Sequence, residues 1–234
     1  MNKSMQVNEK KLSALNNERA IVVSDVRKTY HTHTGPKEVL SGINFTIGHG
    51  EKMAVLGRNG AGKSTLVKII GGVERPSSGM ISRNLSMSWP LAFGGGFEAS
   101  MTGLDNIRFI ARLYNRPIQE TIERVDDFAE LGQNLLLPVR LYSSGMRARL
   151  AFALTLAIDF ECYLIDEVIA VGDQRFHQKC HDALFAERRD CAMILVSHDI
   201  GIIREYCGSA LVLKRGHGQV FHDIDLAINI YATL

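Results

Sequence analysis

The sequence lacks the features that mark secreted, membrane-spanning or zinc-binding proteins. Its four cysteines, Cys162, Cys180, Cys191 and Cys207, form no C-x-x-C pair, which argues against a zinc site or a disulfide framework and suits a reducing compartment. The apolar runs are short and interrupted, well below the roughly 20 residues that a spanning helix needs. Residues 1–18 are polar and have no apolar signal core, so we expect a cytosolic chain unless a partner holds it at a membrane.

The chain also has no large excess of positive or negative charge. Lysine and arginine number 27 against 25 acidic residues, a net charge of +2, so there is no strong electrostatic case for a nucleic-acid partner. The 234 residues are 46% hydrophobic, enough to bury the core of one large domain or two small ones. We interpret residues 1–18 as a flexible polar tail and 19–234 as the folded part.

The hydrophobic pattern predicts an α/β fold. Strand-like segments begin at Ala20, a mostly helical stretch covers about 98–158, and strands then alternate with helices to the end. The Pro- and Gly-containing stretch 76–79 is predicted to be a loop. Alternation around a helical insert implies a core with a parallel sheet and a helical subdomain. We expect the N-terminal strands to be antiparallel.

A phosphate-binding loop occupies residues 57–65, which read Gly-Arg-Asn-Gly-Ala-Gly-Lys-Ser-Thr between an apolar strand and a predicted helix. Glycines let successive backbone N–H groups face a phosphate, and the helix N-terminus adds positive potential. The lysine reaches the β- and γ-phosphates, and the serine hydroxyl can bind Mg²⁺. The residues predicted to bind the nucleotide here are Gly57, Asn59, Gly60, Ala61, Gly62, Lys63, Ser64 and Thr65.

Two carboxylates end a buried apolar strand further along the chain. Asp166 would hold Mg²⁺ through water, and Glu167 could polarise a water for attack on the γ-phosphate. His198 follows the next apolar strand, where its imidazole could hydrogen-bond a γ-phosphate oxygen and the attacking water. A structural role at a strand end is the alternative for each of these residues.

A third segment, Ser143-Ser144-Gly145, precedes an Arg-rich helix start. Small and hydroxyl residues at a helix N-terminus can bind an anion. Simple capping of that helix is an equally good explanation of the same residues.

Taken in order, these motifs resemble the ATP-binding subunit of an ABC transporter, from about Ala20 to Leu234. The resemblance implies the ABC ATPase fold, ATP and Mg²⁺ as ligands, and magnesium ligation by Ser64 and Asp166. It also implies a Walker B role for Asp166 and catalytic roles for Glu167 and His198. Tyr30 matches the aromatic residue that stacks on adenine, Ser144 and Gly145 match the signature motif, and Asp173 matches the D-loop aspartate.

The sequence departs from the family pattern in two places. The signature reads Tyr-Ser-Ser-Gly-Met, and the segment 89–102, where the family usually has its Q-loop residue, contains no glutamine. Glu98 is the only carboxylate in that segment. The triple glycine 94–96 either lies near the contact between two ATPase chains or is an ordinary surface loop.

Several segments are similar to those of ATPases that export surface polysaccharides. They read Ser-Trp-Pro-Leu, Gly-Gly-Gly-Phe, Met-Thr-Gly-Leu-Asp-Asn-Ile, Tyr-Ser-Ser-Gly-Met-Arg-Ala-Arg and Ile-Asp-Glu-Val-Ile-Ala-Val-Gly-Asp. O-antigen members of that group commonly carry a further C-terminal carbohydrate-binding domain, and this chain ends at Leu234 soon after its last predicted helix, so the capsular type is the best match. The resemblance implies a homodimer of ATPase subunits, peripheral on the cytoplasmic face of the inner membrane, that drives an integral-membrane permease dimer. Export of O-antigen, teichoic acid or another polymer is the alternative.

Two other classes of protein fit the sequence less well than a transport ATPase. A soluble ABC ATPase acting on DNA or ribosomes usually carries a long coiled-coil insert or a second ATPase domain, for which 234 residues leave no room. A nucleotide-dependent binding module without hydrolysis is the other class, and Glu167 argues against it.

Overall fold

The computed structural model describes residues 19–90, 97–166 and 174–234. These residues form two compact units. The first contains the described residues of 19–87, 161–164 and 190–234, and the second those of 88–160 and 165–189. The predicted tail 1–18 lies outside the described residues.

Eight strands form two sheets among the described residues. In chain order they are β1 (Ala20–Thr32), β2 (Gly35–Gly48), β3 (Lys52–Gly57), β4 (Ser78–Arg83), β5 (Cys162–Asp166), β6 (Ala192–Val196), β7 (Ser209–Lys214) and β8 (His217–Phe221). The smaller sheet has the order β2-β1-β4 and is antiparallel. The larger sheet has the order β5-β6-β3-β7-β8, with β3 parallel to both β6 and β7. The predicted α/β class with N-terminal antiparallel strands is therefore confirmed.

Seven α-helices in the same described ranges follow the predicted alternation. They are α1 (Lys63–Ile70), α2 (Gly103–Leu113), α3 (Ile118–Ala129), α4 (Ser144–Ile158), α5 (Gln174–His181), α6 (Ile200–Tyr206) and α7 (Ile224–Ala232). Short 3₁₀ turns cover Gly132–Leu136 and Val139–Leu141, and a π-helical turn covers Asp182–Ala186. None of the helices in residues 19–90, 97–166 and 174–234 has the length and apolar composition of a membrane span.

Strand β4 corrects the prediction of a loop at 76–79. The strand pairs with β1, with Ile21 opposite Arg83 and Ser24 opposite Met80. Gly79 adopts φ +83°, and a Cβ there would lie 2.2 Å from the carbonyl oxygen of Asp25. Asp25 lies where the register between β1 and β4 shifts. The glycine is therefore needed because the two strands approach each other closely. In the sequence alone, such a glycine cannot be told from a turn residue.

The core of the first unit lies around the larger sheet. Strand β6 is buried along its whole length, and α1 contributes Leu66, Val67, Ile69 and Ile70 to the same core. The apolar strands and the apolar face of α1 remove these side chains from water, which is the main stabilising contribution to such a fold. This packing fixes the edge of the sheet from which the loops of the site emerge.

The second unit is mostly helical in its described part. Thr102 caps α2, because its hydroxyl accepts a hydrogen bond from the Asp105 amide at 3.0 Å. Helix α4 is buried continuously from Leu150 to Ile158. Asp159, at its C-terminal end, binds Arg124 through two hydrogen bonds of 2.8 and 2.9 Å. These contacts hold α4 and α3 together.

Candidate nucleotide-binding site

The phosphate loop and His198 emerge from neighbouring parallel strands. Strand β3 leads into the loop at Gly57, and β6 leads to His198 through Ser197. The two strands pair with Lys52 opposite Met193 and Ala54 opposite Leu195. Because the two strands are parallel, the phosphate loop and His198 both follow the carboxyl ends of neighbouring strands. The carboxyl ends of parallel strands are where α/β proteins bind their ligands.

The loop 57–62 has the backbone shape that a phosphate cradle requires. Gly62 adopts φ +108°, and a Cβ at this position would lie 2.8 Å from Leu40 Cδ2 and 3.0 Å from the carbonyl oxygen of Val39. A side chain is therefore excluded by both backbone conformation and space. Helix α1 begins at the next residue, Lys63, so its N-terminal amides and its dipole are directed at the loop.

Lys63 is buried and is hydrogen-bonded to the backbone of the phosphate loop. Its Nζ donates hydrogen bonds to the carbonyl oxygens of Gly57 at 2.6 Å and Arg58 at 3.5 Å, and only 9% of the residue is exposed. A buried ammonium needs such partners because it has left water. The ammonium is thus held at the loop, where an anionic phosphate can add to its partners or replace them.

The outer side of the loop borders a cleft of about 360 Å³. This cleft lies between residues 58–61 and the end of β7 at Lys214, with Leu234 also in its wall. The Arg58 guanidinium donates to the backbone oxygen of Leu234 at 2.9 Å. Leu234 therefore packs against the loop.

His198 is exposed and lies close to a tyrosine of helix α7. The Tyr231 hydroxyl is 3.4 Å from His198 Nδ1. The neighbouring Asp199 caps α6, accepting hydrogen bonds from the amides of Gly201 at 2.8 Å and Ile202 at 3.2 Å. This cap stabilises the start of α6, directly after His198.

Tyr30 lies near the end of β1 and is half-buried. Its hydroxyl donates to Glu74 Oε2 at 2.9 Å, and the Lys28 ammonium lies 5.1 Å from the centre of its ring. Sequence reasoning named Tyr30 and missed both of its partners. Glu74 is not part of a recognisable sequence motif. Its position shortly after the helix that follows the phosphate loop is the one feature of the sequence that points to it.

Asp166, Ser144 and Gly145 belong to the second unit. Asp166 is the last residue of β5 and is 8% exposed. Ser144 is the first residue of α4, and Ser143 is its N-cap, with a hydroxyl that accepts from the Met146 amide at 3.2 Å. The capping role thus falls to Ser143, while Ser144 is exposed at the helix start. The Asp166 carboxylate is a suitable ligand for Mg²⁺.

Glu98 is engaged locally in the second unit. Its carboxylate accepts hydrogen bonds from the Ser100 hydroxyl at 2.8 Å and the Ser100 amide at 3.1 Å. The side-chain hydrogen bond from Ser100 is the main reason why the pKa of Glu98 is lowered. The segment is also tied to α2, because Asn106 bonds both the amide and the carbonyl of Glu98.

Three predictions for the site region fall outside the described residues. They concern the catalytic carboxylate Glu167, the D-loop aspartate Asp173 and the triple glycine 94–96. The roles assigned to the site residues themselves stay predictions at this point.

Together, these features define a class of protein. A glycine loop with a lysine joins a strand to a helix, and the strand is central in a sheet with parallel neighbours, which is the arrangement of P-loop nucleotide-binding proteins. The family model described as "ABC transporter" matches residues 40–170. The chain therefore belongs to the ABC transporter family.

Two curated relatives align with nearly the whole chain. The "Capsule polysaccharide export ATP-binding protein CtrD" of Neisseria meningitidis serogroup B is 54% identical, and the alignment covers 92% of this chain and 99% of the relative. The "ATP-binding protein BexA" of Haemophilus influenzae is also 54% identical, over 90% of this chain and 97% of the relative.

Solved structures agree on the fold. The structure of an ATP-binding subunit of an ABC transporter superimposes with a TM-score of 0.76 at 22% identity, covering 90% of this chain and 92% of that one. The dimeric structure of MJ0796, a bacterial ABC transporter cassette, gives a TM-score of 0.70 at 21% identity over 85% and 96% of the two chains. The ABC ATPase fold expected from the sequence is thereby confirmed.

Proposed function

We propose that this chain is the ATP-hydrolysing subunit that powers export of capsular polysaccharide across the inner membrane through a separate permease. The observation that carries the proposal is the 54% identity, over almost the full length of both chains, to a capsule polysaccharide export ATP-binding protein. The geometry of the phosphate loop and of His198 supports a nucleotide site in the first unit.

The site residues divide the work of phosphoryl transfer to water. The loop amides and Lys63 bind the β- and γ-phosphates and offset charge that develops on them. Ser64 and Asp166 would hold Mg²⁺, which neutralises phosphate charge when bound. Glu167 acts as the general base that takes a proton from the attacking water, and His198 donates a hydrogen bond to the γ-phosphate. The products are ADP and inorganic phosphate.

We further propose that two copies of this chain share two ATP sites. Each chain has one phosphate loop and one signature segment at Ser144, so a head-to-tail pair would complete each site with a serine from the partner. ATP binding closes such a pair and hydrolysis releases it, and this motion is passed to the permease. The permease would hold the chain at the cytoplasmic face of the inner membrane.

Lys63→Ala tests the ATPase assignment. We expect the purified variant to lose MgATP hydrolysis, because the loop then lacks the buried ammonium that offsets phosphate charge. Lys52→Ala is the matched control, since it removes the same charge from the opposite end of the strand that leads into the loop. It should keep wild-type turnover.

The same variants placed in the protein's own cells test the cargo. With Lys63→Ala, capsular polysaccharide should accumulate inside the cell and be absent from its surface, as measured with polymer-specific antibody on intact and lysed cells. Wild-type hydrolysis by Lys63→Ala would refute the phosphate-loop assignment. A normal capsule with loss of a different surface polymer would instead favour the alternative cargo.

A further inference from the structure

We expect the adenine base and the triphosphate to contact different elements of the first unit, β1 and α1. The carboxylate of Glu74 connects these two elements. Tyr30, which the family resemblance matches to the aromatic residue that stacks on adenine and which we take as the adenine platform, is on β1. Lys63, the phosphate lysine, begins α1. Glu74 lies four residues beyond the end of α1 and bonds the platform. Any role of this carboxylate in ligand binding rests on the nucleotide site proposed above.

The backbone of Glu74 is fixed on the last turn of α1. Its amide donates to the carbonyl oxygen of Lys68 at 3.2 Å, and the Val73 amide donates to the same oxygen at 2.9 Å. Arg83 binds the last two carbonyls of the helix, those of Ile69 and Ile70, at 2.7 Å each. The C-terminal end of α1 is therefore capped rather than frayed, so Glu74 stays in position with respect to the helix.

The side chain of Glu74 is fixed by Lys28. The Lys28 ammonium is 2.8 Å from Glu74 Oε1 and donates to the backbone oxygen of Arg75 at 2.8 Å. The side chains of Lys28 and Glu74 are 13% and 26% exposed, so the pair is better shielded than an ordinary surface ion pair. The hydrogen bond from Lys28 is also the largest cause of the lowered pKa of Glu74. The carboxylate is thus ionised and oriented.

The second carboxylate oxygen then orients the Tyr30 ring. A hydrogen bond of 2.9 Å to an ionised acceptor is directional and stronger than a neutral one. The Lys28 ammonium, 5.1 Å from the ring centre, adds a cation–π contact on the same residue. A ring held in one orientation loses less conformational freedom when a flat base stacks on it.

We infer that Glu74 is a positioning residue for nucleotide binding, which holds the Tyr30 adenine platform at a fixed place relative to the helix that binds the triphosphate. Glu74 does not touch the nucleotide. It acts through the Tyr30 hydroxyl and determines how tightly the base, but not the triphosphate, is bound.

The test compares two ligands that differ only in the nucleoside. Binding of MgATP and of magnesium tripolyphosphate to the purified chain is measured by calorimetry. We expect Glu74→Ala to weaken ATP binding about three- to tenfold, the effect of one side chain that must be ordered on binding, and to leave tripolyphosphate binding unchanged. Glu38→Gln is the control, because it removes an exposed β2 carboxylate that pairs with Arg27.

A second variant isolates the hydrogen bond. Tyr30→Phe keeps the ring and removes the hydroxyl, so it should weaken ATP binding to the same extent as Glu74→Ala. The double variant should be no weaker than either single variant, because both changes break one contact. Glu74→Gln retains an acceptor oxygen and should recover part of the lost affinity.

Several results would overturn the inference. These are an equal loss of ATP and tripolyphosphate binding, multiplicative effects of Glu74→Ala and Tyr30→Phe, or unchanged ATP affinity in both variants. Failure of the nucleotide site itself would look different, because the wild-type chain would then bind neither ligand, or Lys63→Ala would leave tripolyphosphate binding intact.

Discussion

At the scale of single residues, Glu161 makes the stability of the first unit depend on pH. Its carboxylate accepts a hydrogen bond from the Ser86 amide at 2.7 Å and pairs with Arg19. The amide hydrogen bond from Ser86 is the main cause that lowers the pKa of Glu161 below its usual 4.5. The Glu161 amide in turn donates to the Ser86 carbonyl oxygen. These contacts join the residues that follow β4 to the start of β5.

The lowered pKa fixes the direction of the pH effect. The folded state binds the Glu161 proton more weakly than the unfolded state, so the stabilisation is complete above pH 4.5 and is lost as pH falls through the lower folded-state pKa. Glu161→Gln should reduce the free energy of unfolding by about 1 kcal/mol at pH 7, allowing for partial exposure. Urea unfolding at several pH values measures the difference.

That difference should shrink steadily below pH 4.5. Glu205→Gln, an exposed carboxylate on α6, is the charge control. A gap between wild type and Glu161→Gln that stayed constant from pH 7 to pH 3 would contradict the assignment of the effect to the carboxylate charge.

At the scale of secondary-structure elements, the pairing of β4 with β1 depends on the missing side chain at Gly79. A substitution at Gly79 would be destabilising for two reasons. The backbone has φ +83°, and an added Cβ would lie 2.2 Å from the carbonyl oxygen of Asp25. Gly72 offers a comparison, because it has φ +74° but nothing within 4 Å of its Cβ position.

We therefore expect Gly72→Ala and Gly79→Ala to differ in cost. Gly72→Ala should lower the free energy of unfolding by about 1 kcal/mol, the cost of a left-handed conformation in a residue with a side chain. Gly79→Ala should cost about 2–4 kcal/mol because the strands must also move apart. Thermal or urea unfolding measures both, and equal destabilisation would show that β4 tolerates a side chain there.

At the scale of the whole molecule, the shared-site proposal predicts rescue between two inactive variants. Lys63→Ala damages the phosphate loop, and Ser144→Arg damages the signature segment. In a mixed dimer one site inherits both lesions, while the other combines intact Lys63 from one chain with intact Ser144 from the other. Nucleotide trapping should therefore reappear on mixing, in up to about half of the dimers.

The measurement needs two controls. Mass spectrometry must show that mixed dimers have formed, and each variant alone must trap no nucleotide. Trapping is a better readout than turnover, because hydrolysis can require two intact sites. If mixed dimers form and trap nothing, each chain builds its site alone and the head-to-tail model is wrong.

Features that depend only on neighbouring residues could be predicted from the local sequence. The phosphate loop and the helix that follows it, α1, were predicted, because loop conformation and helix starts are set within a few residues of chain. The α/β class followed from the alternation of apolar segments, and the family from the order of short motifs.

Features that join distant segments of the chain could not be predicted and became visible in the fold. Gly79 lies in a strand and not a loop because it faces the shifted register of β1. Glu74 meets Tyr30, 44 residues away, because the chain after α1 runs beside the end of β1 on its way to β4. Such contacts depend on strand register and on where a helix ends in space, neither of which is contained in the local pattern of residues.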